Sequence, residues 1–184
     1  MTRLLARMRA GDTGAMNDLF ALVYDELRRR AHLHLVRVGR GGTLDTTALV
    51  HEAYLKLVDS AHQSYNDRIH FYAVASRAMR QILVDQARRR LTAKRGGGAV
   101  PVSLEAGKVG APEPAEELVA LDEALGRLAT VDERLARTVE LRFFGGLSVE
   151  ETAAVLNVAP RTVKRDWQKA RAVLHDEVQR LLGP

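Results

Sequence analysis

Residues 148–174 read SVEETAAVLNVAPRTVKRDWQKARAVL, and two helices with a sharp turn between them are legible in the letters. Ser148 and Glu151 have the spacing of a capping box, in which a hydroxyl and a carboxylate each accept a hydrogen bond from the other residue's backbone amide at a helix start. Ala153 is small enough to let a second helix cross closely. Asn157 is one of the few non-glycine residues that tolerates a left-handed backbone, so the chain can reverse at Asn157–Val158. Pro160 then suits the first position of a new helix, where its missing N–H costs nothing. The pattern predicts a helix-turn-helix.

The second of these helices has two chemically distinct sides. At about 100° per residue, Val163, Trp167, Ala170 and Leu174 cluster on one side and read as core. Arg161, Lys164, Arg165 and Gln168 cluster opposite, with Lys169 at that face's edge. From Arg161 to Arg171 five positive residues stand against one acid, Asp166, a surplus suited to a phosphate-lined groove. A lone basic helix is more simply a solvated face; the cap, the small residue and the turn beside this one favour DNA.

Composition narrows the remaining possibilities. The chain has 184 residues, 46% of them hydrophobic, enough for one ordinary domain or two small helical ones. No run of about 18 apolar residues occurs, and MTRLLARMRAGD at the start is too charged for a secretory signal. A cytoplasmic protein without membrane insertion is expected. There is no cysteine, which excludes disulfides and thiolate metal sites. His32 and His34 are two apart and point to different sides of a helix, and His51-Glu52 lacks a second histidine four residues on, where Leu55 stands. No metal, no cofactor and no catalytic group is therefore expected, and the net charge of +5 favours an anionic partner, nucleic acid first.

That charge is divided unevenly. Residues 1–95 hold 17 Lys and Arg against 9 Asp and Glu, a net +8, whereas residues 96–184 hold 11 against 14, a net −3. Between the halves runs TAKRGGGAVPVSLEAGKVGAPEPAEE, whose three consecutive glycines and three prolines oppose regular helix and suit an extended connection. A long packed loop is the alternative.

The rest of the chain carries helical spacing. A short helix is expected over residues 3–10, ended by Gly11-Asp12, and a longer one over about 14–38, with Leu19, Phe20, Val23, Leu27, Ala31 and Leu35 as its stripe. The segment LDTTALVHEAYLKLVDS should run as a helix to about Asp59, burying Leu49, Ala53 and Leu57 with Val50 and Tyr54 beside them. His51, Glu52, Leu55, Lys56 and Asp59 fall on its other side, a polar face interrupted by a leucine. A further helix from about His70 to Leu91 can bury Phe71, Val74, Ala78, Ile82 and Leu83 and expose Arg77, Arg80, Gln81, Asp85 and Arg88. Basic residues beside Tyr65, Phe71 and Tyr72 are a combination that grips single strands, because cations follow the backbone while rings stack on unpaired bases. Phe71 is more simply core, and for Tyr65 both readings stand. Helices from about Glu116 to Ala129 and from Asp132 to Gly145-Gly146 complete an all-α chain. Two small helical bundles are expected: residues 1–94, a flexible Gly/Pro linker over 95–115, and residues 116–184 containing the helix-turn-helix.

The order of these parts resembles the extracytoplasmic-function (ECF) sigma factors, the small two-domain initiation subunits of bacterial RNA polymerase. TALVHEAYLKLVD is similar to the family's region 2.2 helix, FYAVASRAMRQILVDQARRR to its regions 2.3 and 2.4, and ELRFFGGLSVEETAAVLNVAPRTVKRDWQKARAVL to its region 4. The resemblance implies a non-enzymatic sigma factor that binds core RNA polymerase and directs promoter-specific initiation. It implies that His51, Glu52, Leu55 and Lys56 meet the clamp helices of the largest subunit, with the flap region a second contact. It assigns the opened minus 10 element to the loop 61–69 and the following helix, through Tyr65, Asn66, Arg68, Tyr72, Arg77, Arg80, Gln81 and Arg88, with a flipped base in a loop pocket. It assigns the minus 35 element to Lys164, Arg165, Gln168 and Lys169, with Arg161 on phosphate. It further implies control by an anti-sigma partner or by another inhibitory element wedged between the domains. A free-standing helix-turn-helix regulator would also explain residues 148–174, but leaves the basic first half without a task.

Overall fold

Apolar residues at three- and four-residue spacing give helices, and the computed structural model is helical throughout its regular segments. It describes residues 2–10, 12, 14–15, 17–25, 29, 46–59, 68–95 and 113–183. In chain order these contain α1 (Thr2–Arg9), α2 (residues 17–25), α3 (Thr46–Asp59), α4 (Arg68–Arg95) and α5 (Pro114–Val131). There follow α6 (Glu133–Val139), which runs into a π-helical turn (Glu140–Phe144), then α7 (Val149–Leu156) and α8 (Pro160–Leu182). No strand occurs among the described residues. The linker core at 96–112, the loop 61–67 and the stripe residues Leu27, Ala31 and Leu35 lie outside the described residues, as do His32 and His34.

Local chemistry sets the ends. Asp12 closes the first turn region by accepting from the amides of Gly14 at 2.9 Å and Ala15 at 3.2 Å. Arg7 pairs with Asp12 and Asp18, and its hydrogen bond holds the Asp12 carboxyl below the usual range. Helix α5 starts two residues earlier than its leucine spacing suggested, because Pro114 occupies its first turn and the Glu116 carboxylate accepts from the Glu113 amide at 3.1 Å. Asp132 caps α6 by accepting from Leu135 N at 3.1 Å. Gly146, at φ 61°, takes the left-handed conformation that ends the π-helical turn.

The core is continuous from Leu5 through Leu174. Leu19, Val23, Leu49, Val50, Ala53 and Leu57 are buried as their spacing requires. Helix α4 departs from expectation: besides Phe71, Ala78, Ile82 and Leu83 it buries Ala75, Ser76, Met79, Val84 and Ala87. The cause is that α4 packs on α3 along one flank and on α5, the π-helical turn and α7 along the other. A single-stripe reading holds for a helix with one wet side, and α4 has little of one. Its buried Ser76 hydroxyl is satisfied by donating to Tyr72 O at 2.6 Å. The two halves are thus packed together through α4.

Two glycines test this packing in opposite directions. A methyl group at Gly145 would stand 1.9 Å from Ser76 Oγ and 2.6 Å from Leu141 O, while one at Gly126, on the exposed side of α5, would meet nothing within 4 Å. We predict that Gly145→Ala lowers stability by about 1–3 kcal/mol through overpacking. Gly126→Ala should raise it by about 0.5–1 kcal/mol, because glycine in a helix interior loses more chain freedom than alanine. Chemical denaturation of the two variants beside the parent chain measures both, and equal effects would contradict the packing described.

Candidate nucleic-acid interface

Helices α7 and α8 and the turn between them form as their letters dictate. Ser148 Oγ accepts from Glu151 N at 3.0 Å, and Glu151 Oε2 accepts from Ser148 N at 2.8 Å. Thr152, buried, donates its hydroxyl to Ser148 O at 2.7 Å and locks the first turn of α7 further. Asn157 adopts φ 52°, ψ 48°, and Pro160 opens α8. Ala153 and Val163 are buried.

On α8 the polar side is fully presented. Arg161, Lys164, Arg165, Gln168, Lys169 and Arg171 are all exposed. The one acid in this stretch is not among them: Asp166 is 1% exposed, and its Oδ2 accepts from Arg134 Nε at 2.7 Å. That bond, with the attraction of the buried carboxylate, raises the Arg134 guanidinium above its ordinary value. The arginine of α6 therefore pairs with Asp166 from behind, so that the carboxylate is turned away from the outward cations. Arg165 keeps a looser contact, its Nε 3.6 Å from Asp166 Oδ1. Trp167 is only half buried, and the Arg142 guanidinium lies 4.7 Å from its ring centroid, a cation–π contact that closes the ring's open face.

The outer side of α3 carries His51 and Leu55 in the open, Leu55 at 59% exposure, with Glu52 and Lys56 half buried. Lys56 leans toward α4: its Nζ donates to Gln81 Oε1 at 3.4 Å and lies 3.9 Å from Asp85 Oδ2. The face expected to meet polymerase and the face expected to meet opened DNA are consequently adjacent.

On α4 the expected residues divide. Arg77, Gln81 and Arg88 are exposed. Tyr72 is not available as a stacking platform: it is 5% exposed and meets Phe71 edge-to-face, with centroids 5.6 Å apart. The two-sided packing of α4 is what draws that ring inward. Tyr65, Asn66 and the Arg68 side chain lie outside the described residues. Arg80 turns to the C-terminal half, where its Nε donates to Asp122 Oδ1 at 2.9 Å and its Nη1 to Glu140 Oε2 at 3.2 Å. Arg88 Nη2 donates to the other Asp122 oxygen at 2.9 Å. Sequence reasoning missed Asp122, Glu140 and Arg134 as partners. The only signal for the first two was the opposite net charge of the halves, and Arg134 gave none.

No group of three or more metal-ligating side chains occurs among the described residues, and no described helix is long and apolar enough to cross a membrane. Comparison with curated proteins finds no match. A family model described as ECF sigma factor matches residues 1–180, nearly the whole length, and the chain belongs to the ECF sigma factor family.

Proposed function

We propose that α8 reads the minus 35 element in the major groove, that α4 with the loop before it holds the opened minus 10 element, and that the outer side of α3 docks on the clamp helices of the polymerase's largest subunit. As an ECF sigma factor the protein partners core RNA polymerase and promoter DNA to direct transcription. One observation carries it: the cations of residues 161–171 all face outward while the one acid in that run, Asp166, is buried against Arg134. A groove-reading helix needs that separation. Arg or Lys can then reach guanine and Gln168 adenine, at about 1–3 kcal/mol for each well-formed pair, while Arg161 at the helix start neutralises phosphate.

For α3 the support is the setting of Leu55. A leucine at 59% exposure stands beside exposed His51 and half-buried Glu52 and Lys56, with the opposite side of the helix wholly in the core. We assign the flap contact to a second apolar surface, the open groove of about 830 Å³ between α5, the π-helical turn and α8, lined by Leu121, Phe143, Trp167, Val178 and Leu182. An anti-sigma partner would act by keeping these surfaces from polymerase. The two DNA grips are each modest and become strong together, because polymerase fixes their spacing and turns the second binding event into an intramolecular one. A free-standing regulator would need neither the α3 surface nor the family match over both halves.

Two measurements test these assignments. Lys164→Ala with Arg165→Ala should abolish promoter-specific run-off transcription by reconstituted holoenzyme and leave core binding unchanged; parallel loss of both would contradict the α8 assignment. Leu55→Asp should weaken core binding at least about tenfold, the loss expected when roughly 1.4 kcal/mol of contact is removed, with the helical circular dichroism of the chain retained. An unaltered affinity in direct titration against core would remove α3 from the interface.

A further inference from the structure

Consecutive residues of a helix do not face one another, so an ion pair between positions 165 and 166 has to be made by a side chain folding back. Asp166 is turned into the core at 1% exposure, and the Arg165 side chain is 60% exposed, yet Arg165 Nε comes to 3.6 Å from Asp166 Oδ1. The other carboxylate oxygen is held by α6: Oδ2 accepts from Arg134 Nε at 2.7 Å. That arginine sits on a fixed turn. Asp132 caps the start of α6, and the buried Thr138 hydroxyl donates to Arg134 O at 2.8 Å. Asp166 therefore divides its two oxygens between an arginine anchored behind the reading helix and an arginine on its outer face. A guanidinium has a side edge that includes Nε and an end edge made of its two Nη groups. Since Nε is the atom nearest the acid, the end edge is left at the open tip of Arg165, and that edge can meet O6 and N7 of a guanine together.

We propose that Asp166 is a positioning residue for Arg165, anchored in turn by Arg134, so that a side chain of α6 sets how sharply α8 discriminates one base pair. This rests on the assignment of α8 to the minus 35 element made above. A long surface arginine samples many rotamers, and a two-pronged contact to a base selects few of them. Holding Nε from beneath removes part of that search before DNA arrives. At 3.6 Å the contact is an attraction of charges and not a hydrogen bond, so the guanidinium keeps the freedom to settle onto a base. Arg134 is what keeps the arrangement balanced. A buried carboxylate left uncompensated is costly, and without Arg134 it would draw Arg165 inward, off the groove. With Oδ2 already satisfied, Asp166 steadies Arg165 without capturing it.

The test uses holoenzyme reconstituted with the full chain and a pool of duplex DNA fragments of random sequence. Bound fragments are amplified and sequenced, so that the preference at each base pair is read separately. Molecules that fail to fold bind nothing and leave the pattern unaltered, which separates orientation of Arg165 from stability of the fold. Arg165→Ala should flatten the preference at one position, a guanine, by about tenfold and spare its neighbours. Asp166→Asn and Arg134→Met should each flatten that same position by most of the same factor, although neither residue reaches DNA. Asp166→Asn added to Arg165→Ala should change nothing further there. An unchanged preference in either variant, an equal weakening at every position, or a further change in the double variant overturns the positioning role while leaving the assignment of α8 in place. Should Asp166→Asn not assemble with core, Arg134→Met decides alone, since it keeps the bulk of the chain and removes only the charge. If Arg165→Ala alters no position, Arg165 reads no base, and the proposal falls together with the reading beneath it.

Discussion

Helix α4 is flanked on both sides, and most of what distinguishes this molecule follows from that constraint. A helix with α3 on one flank and α5 with the π-helical turn on the other has to be lined with small residues where its neighbours approach closely. It carries Ala73, Ala75, Ser76, Ala78 and Ala87, all buried. Larger residues, Phe71, Met79 and Ile82, fill the spaces between. The same crowding takes Tyr72 into the core and leaves Arg77, Gln81 and Arg88 as the described polar positions of α4 turned outward among those expected to meet DNA. The outward polar positions of α4 are therefore confined to a narrow strip beside the C-terminal half. Arg80 in that strip must either be paired or be solvated, and with 21% of its side chain exposed it is paired.

The second organising effect is the sorting of charge on α8. A helix that approaches phosphate cannot carry an outward acid without losing part of its attraction, yet Asp166 stands in the middle of the basic run. The fold resolves this by turning the carboxylate inward, where an unpaired charge would be prohibitive, and meeting it with Arg134 from α6. Arg134 is itself half exposed, so the pair is wet at one end, and its contribution to stability is small beside its effect on the outward field. Packing α6 behind α8 thus fixes which charges α8 displays.

Much of this was legible in the letters, and what was not has a common cause. The capping box at Ser148 and Glu151, the left-handed Asn157 and the opening Pro160 are contacts within a few residues of one another, and local contacts are what sequence patterns encode. The apolar stripe of α3 was likewise readable, since it buries one side. Tyr72, Arg80 and Asp166 were not, because their surroundings come from residues far away in the chain: the crowding of α4, Asp122 and Glu140 on the opposite half, and Arg134 on α6. Aromatic residues beside arginines suggest stacking until a second helix is found lying on them. The division of net charge between the halves did carry the message that they attract, but not which residues meet.

The two kinds of joint in this chain differ in how they can come apart. Between α7 and α8 the joint is made by backbone caps, a left-handed asparagine and fully buried Ala153 and Val163, none of which has an alternative partner in water or in DNA. Along the α4 and α5 seam the polar part of the joint is made by carboxylates on guanidinium groups, and these do have an alternative partner in water. A reading helix gains from rigidity, since a bidentate contact to a base tolerates little displacement. Closed by backbone caps at the turn between α7 and α8 and by ion pairs along the seam between α4 and α5, the molecule has one joint that salt leaves intact and one whose polar part salt weakens.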